Sequence, residues 1–347
     1  MYRFIRPILF AFSPETAHTI TALLLKVVRH IPLSAPILRA FFHYDSPVLE
    51  REVMGLKFRN PIGLAAGLDK NAEVYNEFAN FGFGFIELGS VTALPQPGNP
   101  RPRCFRLVKD RAIINRFGIN NKGVEHIAQN LRRRKPRPRL IIGGNISKNT
   151  VTPNELAADD YEKTFIGLYD YVDYFVVNVS CPNVKNLCKL QDIDLLSGII
   201  DRLTNIRRHR HVYRPILLKV SPDLNFAQLD ELIELISTSG LDGVVATNTT
   251  TGREGLTAPP QRVNDLGSGG LSGAPLKQRS LEVIRYIHKQ TEGRLPIVGV
   301  GGVMSPQDAL DMIEAGASLV QIYTGFIYQG PGLVKQVLKR IAKIESW

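Results

Sequence analysis

The strongest constraint on the fold is a pattern that begins near residue 45 and repeats to the end of the chain. A short apolar segment, often β-branched, is followed by a polar or glycine-rich turn and then by a helical segment. Such runs are typical of buried parallel strands that alternate with helices. Eight units predict an α/β fold, a (β/α)8 TIM barrel, with a doubly wound open sheet as the alternative. The predicted strands are residues 62–65, 85–88, 140–145, 174–178, 216–220, 243–246, 297–300 and 319–322.

The first 44 residues lie outside this pattern and predict an N-terminal helical extension, whereas residues 45–347 are assigned to one barrel domain. Ser13-Pro14-Glu15 has the form of a helix start within an apolar, cationic stretch. The apolar runs are shorter than the ~18 residues that a membrane span needs. Such helices predict peripheral attachment to a membrane surface, and a helical hairpin packed only on its own barrel is the alternative. The three unevenly spaced cysteines indicate a reduced, cytosol-facing protein, so we expect attachment on the cytoplasmic side of the cell membrane.

The formal net charge of +11 attracts anions, and the densest basic run covers residues 132–139. No aromatic side chains are interleaved there, as a surface for single-stranded nucleic acid would require. We therefore interpret the run as a solvated helix end with a linker, and we expect no nucleic-acid partner. The three cysteines are unevenly spaced and the histidines are not clustered, so neither a disulfide framework nor a metal site is predicted.

Polar side chains follow the predicted strands at the points where the strands end. Because these ends meet on one face of a barrel, we expect the side chains to surround one site. Lys219 lies in an otherwise apolar strand and needs an anionic partner, either a ligand or an acid from another strand. Cys181, with an ordinary pKa of about 8.5, could take a proton at neutral pH, or it could be a small buried thiol. The strand-end residues are Lys70, Asn145, Asn178, Cys181, Asn183, Lys219, Thr247, Asn248 and Thr249.

The last two predicted strands end in glycines, at Gly301-Gly302 and Tyr323-Thr324-Gly325, and Ser272-Gly273 precedes them in a long loop. Glycine lets backbone N–H groups approach phosphate oxygens, and barrels often bind a phosphate after these strands. Without a metal site or a Ser-His-Asp set, this pattern favours redox chemistry on a flavin. Two insertions, residues 94–118 and 251–273, are predicted to be loops that cover the site.

Several motifs resemble those of dihydroorotate dehydrogenases, in order and over nearly the whole chain. Ser13-Pro14-Glu15-Thr16-Ala17-His18 resembles the N-terminal helices of the membrane-associated, quinone-using class (class 2). The resemblance implies oxidation of dihydroorotate to orotate with FMN, transfer of the electrons to a membrane quinone, and a place in pyrimidine nucleotide (UMP) synthesis. The motifs are residues 60–70, 114–121, 178–183, 246–250, 269–273 and 299–302.

The same resemblance assigns roles to individual residues. The FMN-binding residues would be Ala66, Gly67, Leu68, Asp69, Lys70, Ser90, Asn145, Asn178, Lys219, Thr247, Gly273, Gly302, Tyr323 and Thr324. The substrate-binding residues would be Lys70, Asn115, Arg116, Phe117, Gly118, Ile119, Asn178, Asn183, Asn248 and Thr249. His18, Arg106 and Tyr323 would line a path for the quinone.

Cys181 occupies the position of the catalytic base and departs from the quinone-using class in its residue type. That class usually carries serine there, whereas cysteine is the base of the soluble classes. The N-terminal helices favour the quinone-using class because they provide far more sequence context than one side chain. A soluble class 1 enzyme that uses fumarate or NAD is the alternative.

Overall fold

The structure, a computed structural model, describes residues 2–179 and 190–345. Eight of its strands are parallel and close into a barrel, which confirms the predicted TIM barrel over the open sheet. The barrel strands are β3 (Ile62–Leu64), β4 (Phe85–Val91), β7 (Ile141–Ile146), β8 (Tyr174–Asn178), β9 (Ile216–Val220), β10 (Gly243–Ala246), β12 (Ile297–Val300) and β13 (Leu319–Ile322).

Closure of the barrel depends on pairing between its last strand and its first. Val320 of β13 lies opposite Ile62 of β3, and Ile322 lies opposite Leu64. The predicted strand bounds agree closely with the observed ones except in β4, which continues through Gly89-Ser90 to Val91. This extension carries Ser90 to the carboxyl end of the barrel, where the strand-end residues gather.

The barrel interior is packed with large side chains that two glycines make room for. A Cβ atom on Gly63 would lie 2.3 Å from the ring of Phe85, and one on Gly143 would lie 2.3 Å from the ring of Tyr174. Real Cβ atoms do not approach this closely, so both strand positions require glycine. Because the two rings fill the lower interior, the barrel is a packed core and not a pore.

A hairpin formed by β1 (Arg51–Val53) and β2 (Leu56–Phe58) closes the amino-terminal end of the barrel. Phe58 packs into the interior cluster, with its ring centroid 5.3 Å from that of Phe85. Since this end is plugged, the site must be reached from the carboxyl end of the strands.

Most helices of this domain surround the barrel and bury apolar side chains against it, whereas Val263 of α9 packs on the small antiparallel sheet. Two begin with side-chain caps: Ser305 accepts from the N–H of Asp308, and Asn225 forms a capping box with Gln228. The helices of the barrel domain are α4 (Tyr75–Phe78), α5 (Gly123–Arg133), α6 (Ala157–Leu168), α7 (Leu190–Arg208), α8 (Phe226–Ser239), α9 (Pro260–Leu266), α10 (Lys277–Gln290), α11 (Pro306–Glu314), α12 (Thr324–Gln329) and α13 (Gly332–Glu345).

The N-terminal extension forms three helices, α1 (Tyr2–Ala11), α2 (Pro14–Val28) and α3 (Ser34–Phe42). Ser13 caps α2 by accepting from the N–H of Thr16 at 3.2 Å, so the predicted helix start is confirmed. Within residues 2–179 and 190–345, no helix is both long and apolar enough to cross a membrane.

These three helices bury little of their own surface. Of residues 2–42, only Ala17 and Leu25 are buried, and a polar contact from Glu15 to Arg103 at 3.0 Å ties α2 to the barrel domain. Many large apolar side chains on the same helices and their connections are exposed, which a helix packed fully on its own domain would avoid. They include Phe4, Ile8, Leu23, Leu24, Val27, Ile31, Leu33, Ile37 and Phe41.

The two insertions contain a sheet that the sequence analysis did not predict. β5 (Cys104–Leu107), β6 (Ala112–Asn115) and β11 (Gly270–Gly273) pair in antiparallel fashion, in the order β11-β6-β5. The expectation of two loops is therefore wrong in part, because both insertions contribute strands to one small sheet. β6 and β11 are far apart in the sequence, so no local pattern signals their pairing.

Candidate active site

A cavity opens at the carboxyl ends of the barrel strands, beside the small antiparallel sheet. Most of the predicted cofactor and substrate residues meet in its lining, together with Ser272 and Gln321. These are Ala66, Gly67, Lys70, Ser90, Asn115, Phe117, Ile119, Asn178, Lys219, Thr247, Asn248, Thr249, Gly273, Gly302, Tyr323 and Thr324. Among the described lining residues the charged side chains are both lysines, so the cavity is suited to an anionic ligand.

Lys219 of β9 has an acidic partner inside the barrel. Its Nζ lies 3.9 Å from Oε1 of Glu87, a fully buried residue of β4. The sequence predicts either a ligand or an acid from another strand as the partner of Lys219, and it does not identify Glu87, because Glu87 lies on a strand far from Lys219 in the sequence. Lys219 also lines the cavity, so it lies between a buried carboxylate and the space for a ligand.

Glu87 is held by two amides in addition to this ion pair. Its Oε1 accepts from Nδ2 of Asn145 at 2.7 Å, and its Oε2 accepts from Nε2 of Gln321 at 2.6 Å. A buried carboxylate needs such donors to remain charged. Glu87, Asn145 and Gln321 lie on three different strands, so the carboxylate fixes the polar floor beneath the cavity.

A chain of hydrogen bonds continues from this floor to the cavity wall. Oγ of Ser90 donates to Oδ1 of Asn145 and accepts from Nδ2 of Asn178 at 2.8 Å. Oδ1 of Asn178 in turn accepts from Nδ2 of Asn248 at 3.2 Å. The carbonyl of Asn178 is held from behind by the hydroxyl of Tyr161 at 2.9 Å. The strand-end amides are therefore oriented by one another before any ligand binds.

Lys70 lies at the cavity wall without an acidic partner among residues 2–179 and 190–345. Its Nζ donates to the carbonyl of Gly67 at 2.9 Å and lies 4.3 Å from the centroid of the Phe117 ring. Burial lowers the pKa of Lys70 to about 8, so the side chain is a cation at neutral pH. A buried ammonium held only by a carbonyl and a ring would gain most from an anionic ligand.

The opposite end of the cavity is lined by glycines and hydroxyl groups. Gly273, Gly301 and Gly302 have φ of 103°, 122° and 81°, a region that favours glycine. Beside them the hydroxyls of Ser272 and Thr324 lie 2.9 Å apart. These short groups leave the backbone accessible, as the predicted phosphate-binding end requires.

Several predicted site residues lie next to the cavity but do not line it. Asp69 accepts two backbone N–H bonds at 2.7 and 2.8 Å and fixes the turn after β3. Arg116 donates to backbone carbonyls in residues 266–268, which draws its side chain away from the cavity. Leu68 is buried against the barrel, and Gly118 packs on the first insertion. Cys181 and Asn183, the predicted base and one substrate residue, lie outside the described residues.

The three residues predicted to line a quinone path lie where the N-terminal helices meet the cavity. Nε2 of His18 donates to the carbonyl of Leu68 at 2.7 Å, and burial lowers the pKa of His18, so the ring is neutral. Nη1 of Arg106 donates to the carbonyl of Phe12 at 2.8 Å. The ring of Tyr323 lines the cavity itself, and burial raises the pKa of its hydroxyl.

Two residues of the site were missed by sequence reasoning. Glu87 and Gln321 lie within the predicted strands 85–88 and 319–322, and neither is predicted to contribute to the site. The signal that could have found Glu87 is an acid in the middle of a buried run, since such an acid needs partners. Cys104 of β5 is a further half-buried thiol near Lys70, but burial raises its pKa to about 11, so it is a poor base at neutral pH.

Comparison with known proteins adds to this geometry. Residues 48–344 match the family model described as dihydroorotate dehydrogenase. A dihydroorotate dehydrogenase (quinone) from Christiangramia forsetii is 50% identical over 342 residues, which cover 98% of both chains. A protein of the same name from Gloeobacter violaceus is 48% identical and covers 99% of this chain and 94% of its own.

Solved structures agree with the sequence comparison. The crystal structure of DHODH in complex with ferulenol from Eimeria tenella superposes with a TM-score of 0.82 at 34% sequence identity, covering 95% of this chain and 91% of that one. The ligand-free form from the same organism gives a TM-score of 0.80, covering 91% of this chain and 95% of that one. With the barrel, the lysine-lined cavity and these relatives in agreement, the chain belongs to the dihydroorotate dehydrogenase family.

Proposed function

We propose that the protein oxidises (S)-dihydroorotate to orotate with FMN as the hydride acceptor and a membrane quinone as the final electron acceptor. The observation that carries this proposal is the cavity at the strand ends, which holds two lysines and no acid among its described lining residues. The relatives named as quinone enzymes favour a quinone over fumarate or NAD. The reaction belongs to pyrimidine nucleotide synthesis.

The residues of the cavity fit FMN by the chemistry of their donors. The glycine-lined end with Ser272 and Thr324 suits the phosphate, and Ser90, Asn178 and Thr247 suit the heteroatoms of the ring. Lys219 would supply a positive charge to the flavin ring. Bound FMN would supply the hydride acceptor that no side chain can provide.

The protein's own residues would bind the substrate and move one proton. Lys70 suits the carboxylate of dihydroorotate by charge, and Asn115, Asn248 and Thr249 suit the ring amides by pairing donors with acceptors. Asn183 would join them from the loop after β8. Cys181 would take the proton from the ring carbon next to the one that loses hydride.

The N-terminal helices would supply the route for the quinone. His18 of α2 contacts the carbonyl of Leu68, and Arg106 contacts the carbonyl of Phe12 just before α2. Tyr323 lines the cavity itself, so an apolar acceptor could reach the flavin from the side of α2. The exposed apolar side chains of α1 to α3 support attachment to the surface of the cell membrane, from which a quinone could enter. Attachment would be peripheral and on the cytoplasmic side.

The cofactor assignment is tested by purifying the protein and recording its visible spectrum. We expect flavin absorption bands, and release of FMN rather than FAD when the protein is denatured. A colourless protein that also fails to take up added FMN would contradict the proposal.

Replacing Lys70 by methionine is expected to weaken orotate binding roughly 10- to 100-fold, because a charge-assisted hydrogen bond to the carboxylate is lost. In the wild type, binding should weaken as the pH rises through about 8, since the ammonium of the free protein is charged below this value and neutral above it. Calorimetric titration of both proteins measures this. The exposed Lys57→Met is the control. A methionine variant that keeps both the affinity and the pH dependence would rule out Lys70 as the carboxylate ligand.

Deleting residues 1–42 is expected to leave a folded barrel, because only Ala17 and Leu25 are buried among the described residues 2–42. Oxidation of dihydroorotate with a soluble dye should persist, whereas quinone reduction should fall about tenfold or more once the membrane-binding helices are gone. Steady-state assays with the two acceptors, with and without vesicles, measure the difference. Unchanged quinone kinetics would favour the soluble class.

A further inference from the structure

A second cleft lies away from the active site, between the N-terminal helices and the barrel domain. It measures about 550 Å³ and is bounded by α2, α3, α4 and the segment that follows α5. The basic run at residues 132–139, which the proposed reaction does not use, contributes Arg134 and Arg137 to its lining. The end of α2 contributes Arg29 and His30.

The mouth of this cleft is positively charged. Three guanidinium groups line it, from Arg29, Arg134 and Arg137, against one carboxylate, that of Glu77. Arg134 is bound to Oε1 of Glu77 at 2.6 Å. Within the described part of the chain, the guanidinium of Arg137 has no hydrogen-bond or ion-pair partner. The pKa of Arg137 is lowered mainly by burial and, to a smaller extent, by the positive charge of Arg39. Like charges gathered around a cleft are stabilised by a bound anion.

The floor of the cleft holds two buried acceptors that lack donors. Oε2 of Glu77 and Oδ1 of Asn80 have no hydrogen-bond partner in the described structure, and the two residues are only 4% and 3% exposed. A buried acceptor without a donor destabilises the folded protein, because it has lost its hydrogen bonds to water. A ligand that fits the cleft must therefore present an anion at the mouth and hydrogen-bond donors deeper inside.

The surroundings of the cleft indicate where such a ligand comes from. Val27 and Ile31 flank the lining residues at the end of α2, and they are 54% and 52% exposed. A phosphate group with attached hydroxyl or ammonium donors would match the cleft, and acyl chains would match the exposed apolar side chains beside it. We propose that this cleft binds the headgroup of an anionic phospholipid through Arg29 and Arg137. That the ligand is a lipid rests on the proposed attachment of the protein to a membrane. That the cleft binds a phosphate group does not depend on that attachment.

The test compares two double variants that remove the same charge. Arg29→Gln with Arg137→Gln changes the cleft, and Arg132→Gln with Arg133→Gln changes exposed arginines of the same basic run outside it. Binding is measured by co-sedimentation with vesicles of phosphatidylcholine alone or mixed with phosphatidylglycerol, whose glycerol hydroxyls supply donors. Arginines near an anionic surface attract it wherever they lie on the protein, so both double variants should lose this general attraction equally. Because the cleft is a specific site, we expect the cleft variant to bind about tenfold more weakly than the matched control.

Three results would overturn the proposal. Equal losses in both double variants would mean that surface charge alone attracts the protein. Strong binding of inorganic phosphate alone, with release of the protein from vesicles, would assign the cleft to a soluble anion. A wild type that binds neither vesicle but still oxidises dihydroorotate with a soluble dye would remove the lipid site and leave the proposed reaction standing. Dye-linked activity should be unchanged in both double variants, which checks that they fold.

Discussion

Replacing Cys181 by alanine is expected to slow the reduction of bound flavin by dihydroorotate by a factor of roughly 10²–10⁴, as for loss of a general base. FMN and orotate should still bind. The physical reason is that the described lining of the cavity offers no histidine or carboxylate, while burial raises the pKa of Cys104 to about 11. Of the two lysines in the described lining, Lys219 is paired with Glu87, which leaves Lys70 as the rival base, and a bound carboxylate would keep Lys70 protonated. Anaerobic stopped-flow bleaching of the flavin measures the rate.

Cys181→Ser is the matched variant, since it keeps a small nucleophilic side chain at the position where the quinone-using class usually has serine. We expect part of the rate to return, with the pH dependence displaced to higher pH, because a hydroxyl is harder to ionise than a thiol. Bleaching of Cys181→Ala at nearly the wild-type rate would mean that the proton goes to another group, with Lys70 as the first candidate.

Replacing Glu87 by alanine is expected to destabilise the protein by about 3–5 kcal/mol, as when one partner of a buried ion pair is removed. The change leaves Lys219 without its carboxylate and strips two amides, on Asn145 and Gln321, of their acceptor. Denaturant unfolding measures the loss.

Glu87→Gln tests the electrostatic part of the same account with a smaller change in shape. Without the carboxylate, the charge of Lys219 acts on the cavity unopposed, so we expect a more positive reduction potential for the bound flavin, since reduction adds negative charge. Glu282→Gln removes an exposed carboxylate that pairs with Arg279, and should cost no more than about 1 kcal/mol. If Glu87→Gln changes neither stability nor potential, the carboxylate does not set the charge of the site.

The barrel could be predicted from the sequence because its strands are short, apolar and bounded by turn residues. Val244 and Val245 show the pattern well, since both faces of a parallel strand are buried and both positions are β-branched. The small sheet could not be predicted, because β6 and β11 belong to two insertions that are far apart in the sequence. Pro36 lies in the first turn of α3, where its missing N–H costs nothing.

The sequence predicted those residues of the candidate site that directly follow a strand, such as Lys70 and Thr247. The site was not predictable where a residue acts through a distant partner. The role of Glu87 follows from its contacts with Lys219, Asn145 and Gln321, and these contacts exist only in the closed barrel. Asp69 shows the converse, since a polar residue at a strand end can serve the backbone instead of a ligand.

The central claim is that this cavity holds a flavin that dihydroorotate reduces. The most direct measurement is anaerobic titration of the purified holoprotein with dihydroorotate, with absorbance and orotate followed together. We expect full bleaching of the flavin, one orotate formed for each flavin reduced, and return of the colour when a quinone is added. A flavin that stays oxidised at saturating dihydroorotate, or a protein that binds no flavin at all, would contradict the account.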